Sequence, residues 1–395
     1  MAYTKDEFKQ LVDDIQSQSW YRNPIGFGIA RVDRGQLNKD KILQATFPLI
    51  NWNENFGSAA ILLNALKVAG ENVDTSKSEL VCKISDAFLT SCVESFRPYI
   101  PEAKGDAHKN VQVISTLASL PIDSGLTAED YRVVFIFEDA APESTEAVYL
   151  KLYALSTGKA ALRSLNLNGA FGKLHNCAWV GNQPIELDWL RANEIVLKLS
   201  GKYPNIDFVD KFPRLLQHVI LADNTRILDS GKVRMGAQLA AGTTVMPGAA
   251  YINFNAGTLG SVMVEGRISS SAVVGAGSDV GGGASILGVL SGTDGVPVTI
   301  GENTLLGANS CTGTAIGDGC ILDAGVTILP GTKIALSDKA VEQLKAINPG
   351  KEISNVMKGS DFQGVNGVHF RVNSSTGQTI AMRSTREVKL NADLH

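Results

Sequence analysis

From Ile227 to Ile334 the apolar positions follow an interval of six. Ile227, Val233, Leu239, Val245 and Tyr251 stand six apart; Val262, Ile268, Val274, Val280 and Ile286 repeat the spacing, then Ile300 and Leu306, then Ile316, Leu322, Ile328 and Ile334. Three residues after most of these anchors comes Gly or Asn, as at Gly236, Gly242, Gly248, Gly277, Gly283, Asn303, Asn309, Gly319, Gly325 and Gly331. Four residues after comes a small side chain, as at Ala237, Thr243, Ser278 and Thr304. Six is neither the 3.6 of a helix nor the 2 of a two-sided strand. It suits one short strand plus one corner, with a branched side chain in a shared interior and a corner residue that tolerates positive φ. Three such units close a triangular coil. The pattern therefore predicts a left-handed parallel β-helix of about five or six coils. Breaks in the register at Ile252–Ser261, Leu287–Thr299 and about Thr312–Ala315 predict loops that leave the coil, and loops on a rigid solenoid are common places for sites.

Upstream the periods differ. Thr4 and Glu7 are placed for a capping box, and Phe8, Leu11, Val12 and Ile15 share a helical face. Leu80, Val81, Ile84, Phe88 and Val93 predict a second amphipathic helix ending at Pro98, so the chain to about Ile100 reads as helical. Strand-like Val111–Ile114, the apolar run Val133–Phe137 and helix-like stretches at Glu143–Leu155 and Leu187–Leu199 then predict an α/β unit. The expected division is a mainly helical region at 1–105, an α/β domain at 106–222, the β-helix at 223–336 and a short C-terminal extension at 337–395.

Composition sharpens this in one respect. Of 39 Gly in 395 residues, 22 lie between Thr225 and Leu336, which fits corner chemistry in the repeat. The 36 Lys+Arg against 40 Asp+Glu give a net charge of −4, with no global positive field for nucleic acid or an anionic membrane. The charged start Thr4-Lys5-Asp6-Glu7 lacks the apolar run of a signal peptide, and no stretch approaches the ~20 apolar residues of a membrane span, so the expected location is cytoplasmic. Cys82, Cys92, Cys177, Cys311 and Cys320 are odd in number and lack CxxC spacing, and read as reduced, mostly packed thiols. His108, His175, His218, His369 and His395 share no metal spacing and read as structural or surface residues.

Two hexapeptide chemistries are excluded by residues. A zinc site built from three His has none available between Val219 and Val368, and Ile25-Gly26-Phe27-Gly28 is too weak for the phosphate loop of a nucleotidyltransferase. One corner carries a distinct signal: Glu265, three residues after Val262, occupies a place where other hexads put Gly, with Gly266 and Arg267 following. On residue type alone the favoured reading is a solvated Glu paired with Arg267, since exposed charges are usually only that.

Tyr251-Ile252-Asn253-Phe254-Asn255-Ala256-Gly257-Thr258-Leu259-Gly260, Met263-Val264-Glu265-Gly266-Arg267-Ile268 and Gly281-Gly282-Gly283-Ala284-Ser285-Ile286 closely resemble the tetrahydrodipicolinate N-succinyltransferase family of hexapeptide acyltransferases, in its longer, actinobacterial-like form. Asp210-Lys211-Phe212-Pro213-Arg214, Leu305 to Ser310, Phe370-Arg371 and Asn391-Ala392-Asp393-Leu394-His395 extend the likeness from about Asp210 to the C-terminus; it is weaker over the first hundred residues. The resemblance implies a reaction. A succinyl group moves from succinyl-CoA to the amine of tetrahydrodipicolinate ring-opened by water, giving N-succinyl-2-amino-6-oxopimelate and CoA, in the diaminopimelate route to lysine. It implies Glu265 as the catalytic residue, as general base or through an acyl-anhydride. It also implies contacts to succinyl-CoA by Arg267, Gly282, Ser285, Ala308, Asp323, Ala324, Gly331, Lys358, Arg371 and Ser374, the last three toward the nucleotide end and completing the CoA site from the C-terminal extension. Relatives carry Glu at the position of Asp323.

By the same resemblance the protein is a homotrimer with sites between subunits, has no permanently bound cofactor and uses succinyl-CoA as cosubstrate. Carboxylates that hold magnesium in relatives fall on Lys232 and Ala249, so no metal is expected. Two other readings stand beside this one: an acetyl-CoA-dependent N-acyltransferase acting on another amine, and a non-catalytic trimeric β-helix scaffold. A scaffold predicts uniform hexads, whereas this chain breaks register and places Glu-Gly-Arg beside a break.

Overall fold

The computed structural model describes residues 4–120, 127–289 and 293–390. The chain forms two compact units: one runs to Ala154 and adds Leu165–Pro213, and the other combines Leu155–Ser164 with the chain from Arg214 onward.

In the first unit an antiparallel sheet has the order Ile42–Thr46, Gly26–Arg34, Tyr131–Ile136, Glu79–Lys83, with Ile50–Trp52 also paired to Gly26–Gly28. Helices Lys5–Gln16, Phe56–Val68, Asp86–Phe96 and Lys109–Ser119 bury Ile15, Leu62, Phe88 and Ile114 with Phe27, Ile29, Val133 and Phe135 of the sheet. The capping box forms: Thr4 Oγ1 accepts from Glu7 N–H and Glu7 accepts from Thr4 N–H. Helices Thr145–Ser156 and Leu187–Leu199 fall where the apolar pattern puts them.

Three local expectations are corrected. The region to Ile100 is not continuously helical; four strands interleave with its helices. Leu80 and Val81 belong to strand Glu79–Lys83, and the helix begins only after Ser85, whose Oγ accepts from Phe88 N–H. Their three- and four-residue spacing with Ile84 and Phe88 spans a strand-to-helix junction. Val111–Ile114 is helical, because Val111 and Ile114, three apart, are the buried pair of that helix and a four-residue window does not separate the two periods. The Gly26-Phe27-Gly28 run is a strand, and its glycines permit close approach. A Cβ on Gly26 would meet the Trp52 ring at 2.5 Å, and one on Gly28 would meet Leu49 O at 2.8 Å.

The second unit is a three-faced parallel β-helix. One face stacks Arg226–Ile227, Thr244–Val245, Met263–Val264, Asp279–Val280, Leu305–Leu306 and Ile321–Leu322. The second stacks Tyr251–Ile252, Arg267–Ile268, Ser285–Ile286, Cys311–Thr312 and Thr327–Ile328. The third stacks Gly257–Thr258, Val273–Val274 and Thr299–Ile300, with Ile316 bridging to Ile300. Val233, Val245, Ile268, Val274, Val280, Ile286, Ile300, Leu306, Leu322, Ile328 and Ile334 fill one interior.

The ladder corrects the hexad register in the middle of the repeat. The inward residue is Ile252 rather than Tyr251, and sixes then continue through Thr258 to Val264, so Ile252–Ser261 stays within the coil. Thr258 is a polar anchor. Its Oγ1 lies 2.7 Å from Thr243 Oγ1 and accepts from Ala240 N–H at 3.1 Å, which satisfies the buried hydroxyl. Between Thr312 and Ile316 the coil is likewise shortened rather than looped out, since both residues keep their ladder places. The Leu287–Thr299 excursion stands: Ile286 pairs with Thr312, so that coil takes 26 residues, against 16 from Thr312 to Ile328. Leu290–Gly292 of this loop lies outside the described residues, as does the Asn391–His395 motif.

Arg163 ties the short Leu155–Ser164 segment to the coil. Its guanidinium donates to Ser271 O, Val298 O and Thr299 Oγ1, and its N–H donates to Asn255 Oδ1 at 2.8 Å. Arg163→Ala leaves carbonyls of two successive coils without this donor and is expected to cost about 2–3 kcal/mol of stability, read as a lower urea midpoint. An unchanged midpoint would remove the clamp role.

Candidate functional site

Between anchors Val264 and Ile268 the coil takes four residues instead of six, and Glu265-Gly266-Arg267 is the whole corner. Glu265 thus follows its anchor directly, rather than standing three after Val262. Its N–H and that of Gly266 both donate to Val280 O, at 2.8 and 3.1 Å. A shortened corner brings Gly266 hard against the next coil: a Cβ there would lie 2.3 Å from Ala284 O and 2.8 Å from Gly281 O.

The corner repeats as a column. Gly281 N–H donates to Leu306 O, Gly307 N–H to Leu322 O and Asp323 N–H to Phe370 O. Glu265, Gly281, Gly307 and Asp323 are therefore the first residues past one strand in successive rungs, and Arg371, inside strand Val368–Val372, holds the corresponding place one rung on. Gly282, Ala308 and Ala324 follow them along the same edge. Among the described residues no backbone acceptor takes the N–H of these three, so the edge presents a row of open donors. The wall beside Glu265 is bare: a Cβ on Gly282 would come 3.5 Å from Glu265 Oε2.

Arg267 and Ser285 begin the adjoining strands of the second face and are ladder partners, continued by Cys311 and Thr327. Arg267 is exposed. Burial pushes the half-buried Cys311 thiol above its ordinary range, with the Arg267 charge opposing it, so the thiol is a poor nucleophile. Cys82, Cys177 and Cys320 are pushed up to about 11 by burial, and all five cysteines are free.

Asp323 ends the column in a charged cluster that residue spacing did not reveal. Its Oδ1 lies 2.6 Å from His369 Nε2 and its Oδ2 lies 3.4 Å from Arg371 Nε. The signal in the sequence is the alternation Val368-His369-Phe370-Arg371, whose apolar members are buried. The remaining expected residues stand apart from this edge. Gly331 is on the corner leaving the second face, after Thr327–Ile328, and Lys358 pairs with Lys333 just beyond it. Ser374 is exposed in the turn joining Val368–Val372 to Thr379–Arg383. Among the described residues no cluster of His, Cys, Asp and Glu is placed to hold a metal, and the ammonium of Lys232 donates to Gly248 O at 2.7 Å.

Comparison with known proteins bears on the whole chain. The family model described as tetrahydrodipicolinate N-succinyltransferase N-terminal matches residues 6–172, the corresponding middle model matches 174–214, and a hexapeptide repeat of succinyl-transferase matches 297–330. The first hundred residues, where motif likeness was weak, are thus covered too. The chain is 67% identical to a 2,3,4,5-tetrahydropyridine-2,6-dicarboxylate N-succinyltransferase of Sulfurovum sp. over 99% of this chain and 98% of that one. Identity to the protein of the same name from Campylobacter jejuni is 54% over the full length of both. A crystal structure from Campylobacter jejuni, assigned to a 2,3,4,5-tetrahydropyridine-2-carboxylate N-succinyltransferase, superposes with a TM-score of 0.92 at 53% identity, covering 98% of this chain and 100% of that one.

Proposed function

The chain belongs to the tetrahydrodipicolinate N-succinyltransferase family, and from that premise we propose that the Glu265 edge is where its reaction takes place. The enzyme is an acyltransferase that moves the succinyl group of succinyl-CoA to the amine of tetrahydrodipicolinate, the succinylation step of the diaminopimelate route to lysine, with succinyl-CoA as cosubstrate. Membership of an enzyme family leaves the scaffold reading without support.

The observation that carries the site assignment is the bare wall. A carboxylate on a shortened corner faces a glycine, beside a row of open N–H donors on the same edge. In this reading the acceptor is tetrahydrodipicolinate whose ring water has opened to a free amine and a ketone; Glu265 takes a proton from its ammonium, and the freed amine attacks the thioester carbonyl. The oxyanion of the tetrahedral adduct is held by backbone N–H groups of the edge. It collapses to the amide with loss of the CoA sulfur, which takes up a proton. Gly282, Ala308 and Ala324 leave room for the pantetheine arm and offer it donors, and Ser285 supplies a hydroxyl beside the succinyl end. Gly331, Lys358 and Ser374 serve the nucleotide end from outside this edge.

Arg267 is assigned the succinyl carboxylate, because a guanidinium grips a carboxylate in a bidentate pair. Arg267→Met is expected to raise the KM for succinyl-CoA roughly 10- to 100-fold, the worth of one charge-assisted pair. Use of acetyl-CoA, which lacks that carboxylate, is expected to stay as it was. Thiol release measured with both thioesters, with and without tetrahydrodipicolinate, tests this and the reaction together. Equal loss with both thioesters would take the carboxylate role from Arg267, and comparable wild-type rates would favour the acetyl-CoA alternative.

The finer architecture belongs to the same proposal: left-handed coiling, as a strict hexad suggests, and a cytoplasmic homotrimer with each site completed by a neighbouring subunit. Three carboxylates have to be gripped, two of tetrahydrodipicolinate and one of the succinyl group, and Arg267 is one cation at one end of the edge. A partner's residues would supply the rest. No described helix is long and apolar enough to cross a membrane.

A further inference from the structure

The N-terminal unit carries a groove in which acyl transfer has no part. In its antiparallel sheet Arg31 lies between Thr46 on one neighbouring strand and Tyr131 on the other. Strand alternation puts Phe27, Ile29 and Arg31 on one face, with Phe135, Val133 and Tyr131 opposite them. Phe27, Ile29, Val133 and Phe135 are buried in the core of the unit. One step on, the same face carries Arg31, Tyr131 and Thr46, which are half-buried and line the groove.

The facing wall comes from helix Lys109–Ser119. Val111 and Ile114 are its buried residues. Lys109, Gln112, Val113, Thr116 and Leu117 recur at helical spacing as a second stripe, and this one lines the groove. Pro48 and Leu49, in the turn after Ile42–Thr46, add apolar lining. The volume is about 550 Å³, within the range of small-molecule sites, and the mixture of apolar walls with a few polar groups is theirs too.

The polar groups define the ligand. Two cations, Arg31 and Lys109, line the groove and no carboxylate does. Arg31 gives both terminal amino groups to Asp33, at 2.7 and 2.9 Å, and keeps Nε. Lys109 meets Asp106 at 2.9 Å, but that carboxylate is fully exposed, and such a pair is weak enough to exchange for a ligand. Among the described residues no partner takes Arg31 Nε or the hydroxyls of Thr46, Thr116 and Tyr131. Burial pushes the Tyr131 hydroxyl above its ordinary range, with the Arg31 charge opposing, so it stays a neutral donor. A cationic ligand would meet two like charges here. A wholly polar one would leave the surfaces of Leu49, Val113 and Leu117 without a partner.

We propose that this groove binds a small apolar molecule carrying one anionic group. The apolar body lies on Leu49, Val113 and Leu117. The Lys109 ammonium turns from Asp106 to the anion, and Arg31 and Tyr131 offer N–H and O–H donors from the sheet. All lining residues belong to the first unit and the Glu265 edge to the second, so the site shares no residue with the chemistry.

Two probes test this on the full-length protein saturated with CoA. One is 8-anilinonaphthalene-1-sulfonate, an apolar anion that fluoresces when removed from water, and the other is N-phenyl-1-naphthylamine, the same ring system without the sulfonate. Lys109→Gln is expected to weaken binding of the sulfonate about 3- to 10-fold and of the neutral probe less than twofold. Thr116→Trp fills the groove from an exposed position and should weaken both at least tenfold. Val113→Trp should do the same from a half-buried one. Urea midpoints near wild type keep a folding defect from passing as lost binding, and kcat and KM for succinyl-CoA should stay within twofold in all three variants. Absence of saturable binding to the wild type overturns the proposal. So does binding that survives both tryptophans, which places the probe elsewhere on the chain. Equal loss of both probes in Lys109→Gln removes the anion from the assignment and overturns it as well. A tryptophan variant that sediments as a smaller assembly overturns it in another way, by marking the groove as a contact between copies of the chain.

Discussion

Glu265→Gln is expected to lower kcat for acceptor-dependent thiol release by about 100- to 10,000-fold, the range for losing a positioned general base. The fold should not change. The hydrogen bonds that place residue 265 are made by the backbone, Glu265 N–H to Val280 O at 2.8 Å and Gly283 N–H to Glu265 O at 3.4 Å, and glutamine keeps both. The side chain is half-buried, faces the bare backbone of Gly282, and has nearly the same shape in the amide. The urea midpoint and the KM for succinyl-CoA should therefore stay near wild type, and the loss should appear in kcat alone. The wild type also separates the two roles open to this carboxylate. An acyl-anhydride requires Glu265 to attack the thioester first, which releases up to one equivalent of thiol per site before any acceptor is added. A general base releases none until the amine is present. Near-native turnover by the glutamine variant would remove Glu265 from the chemistry in either form.

Much of the β-helix is legible because one physical demand recurs: a branched side chain must enter the interior once per strand, and a corner follows. Where the demand is met by another residue type, the pattern breaks on paper and not in space. Thr258 fills an interior position by bonding Thr243, so a search for aliphatic anchors passes over it and invents a loop at Ile252–Ser261. The neighbouring anchors then slide, Ile252 to Tyr251 and Val264 to Val262. Glu265 is singled out all the same, since any register leaves a charged residue where the corner backbone is crowded. The N-terminal strands were hidden for a different reason. Gly26–Arg34 and Tyr131–Ile136 pair across a hundred residues, and short strands such as Glu79–Lys83 run into helices whose three- and four-residue spacing they happen to share. The Asp323–His369 pair is non-local too. Nothing near Asp323 in the sequence announces a histidine 46 residues away, and only the strand laid on Ile321–Leu322 brings it there.

Gly266→Ala is expected to cost roughly 3 kcal/mol or more of stability and to lower kcat by at least about tenfold, although it adds only one methyl group. The added Cβ would sit 2.3 Å from Ala284 O and 2.8 Å from Gly281 O, far inside contact distance, and both obstacles are backbone. Neither moves freely. Ala284 O accepts the N–H of Arg267 at 2.7 Å, and Ala284 N–H donates to Gly281 O at 2.9 Å. Relief has to come from the corner itself, by pushing Glu265-Gly266-Arg267 outward and lengthening the bonds to Val280 O. That shift moves the carboxylate and the guanidinium together, and a misplacement of about 1 Å at a reacting group is enough for a 100-fold loss. Gly282→Ala is the matched control: its Cβ meets only Glu265 Oε2, at an ordinary 3.5 Å, so the urea midpoint should hold while turnover falls as the wall fills. Urea melts and steady-state kinetics on the two variants separate a glycine required by the coil from one required by the site. If Gly266→Ala melts like the wild type, the four-residue corner has slack, and its shortness does not explain the glycine beside Glu265.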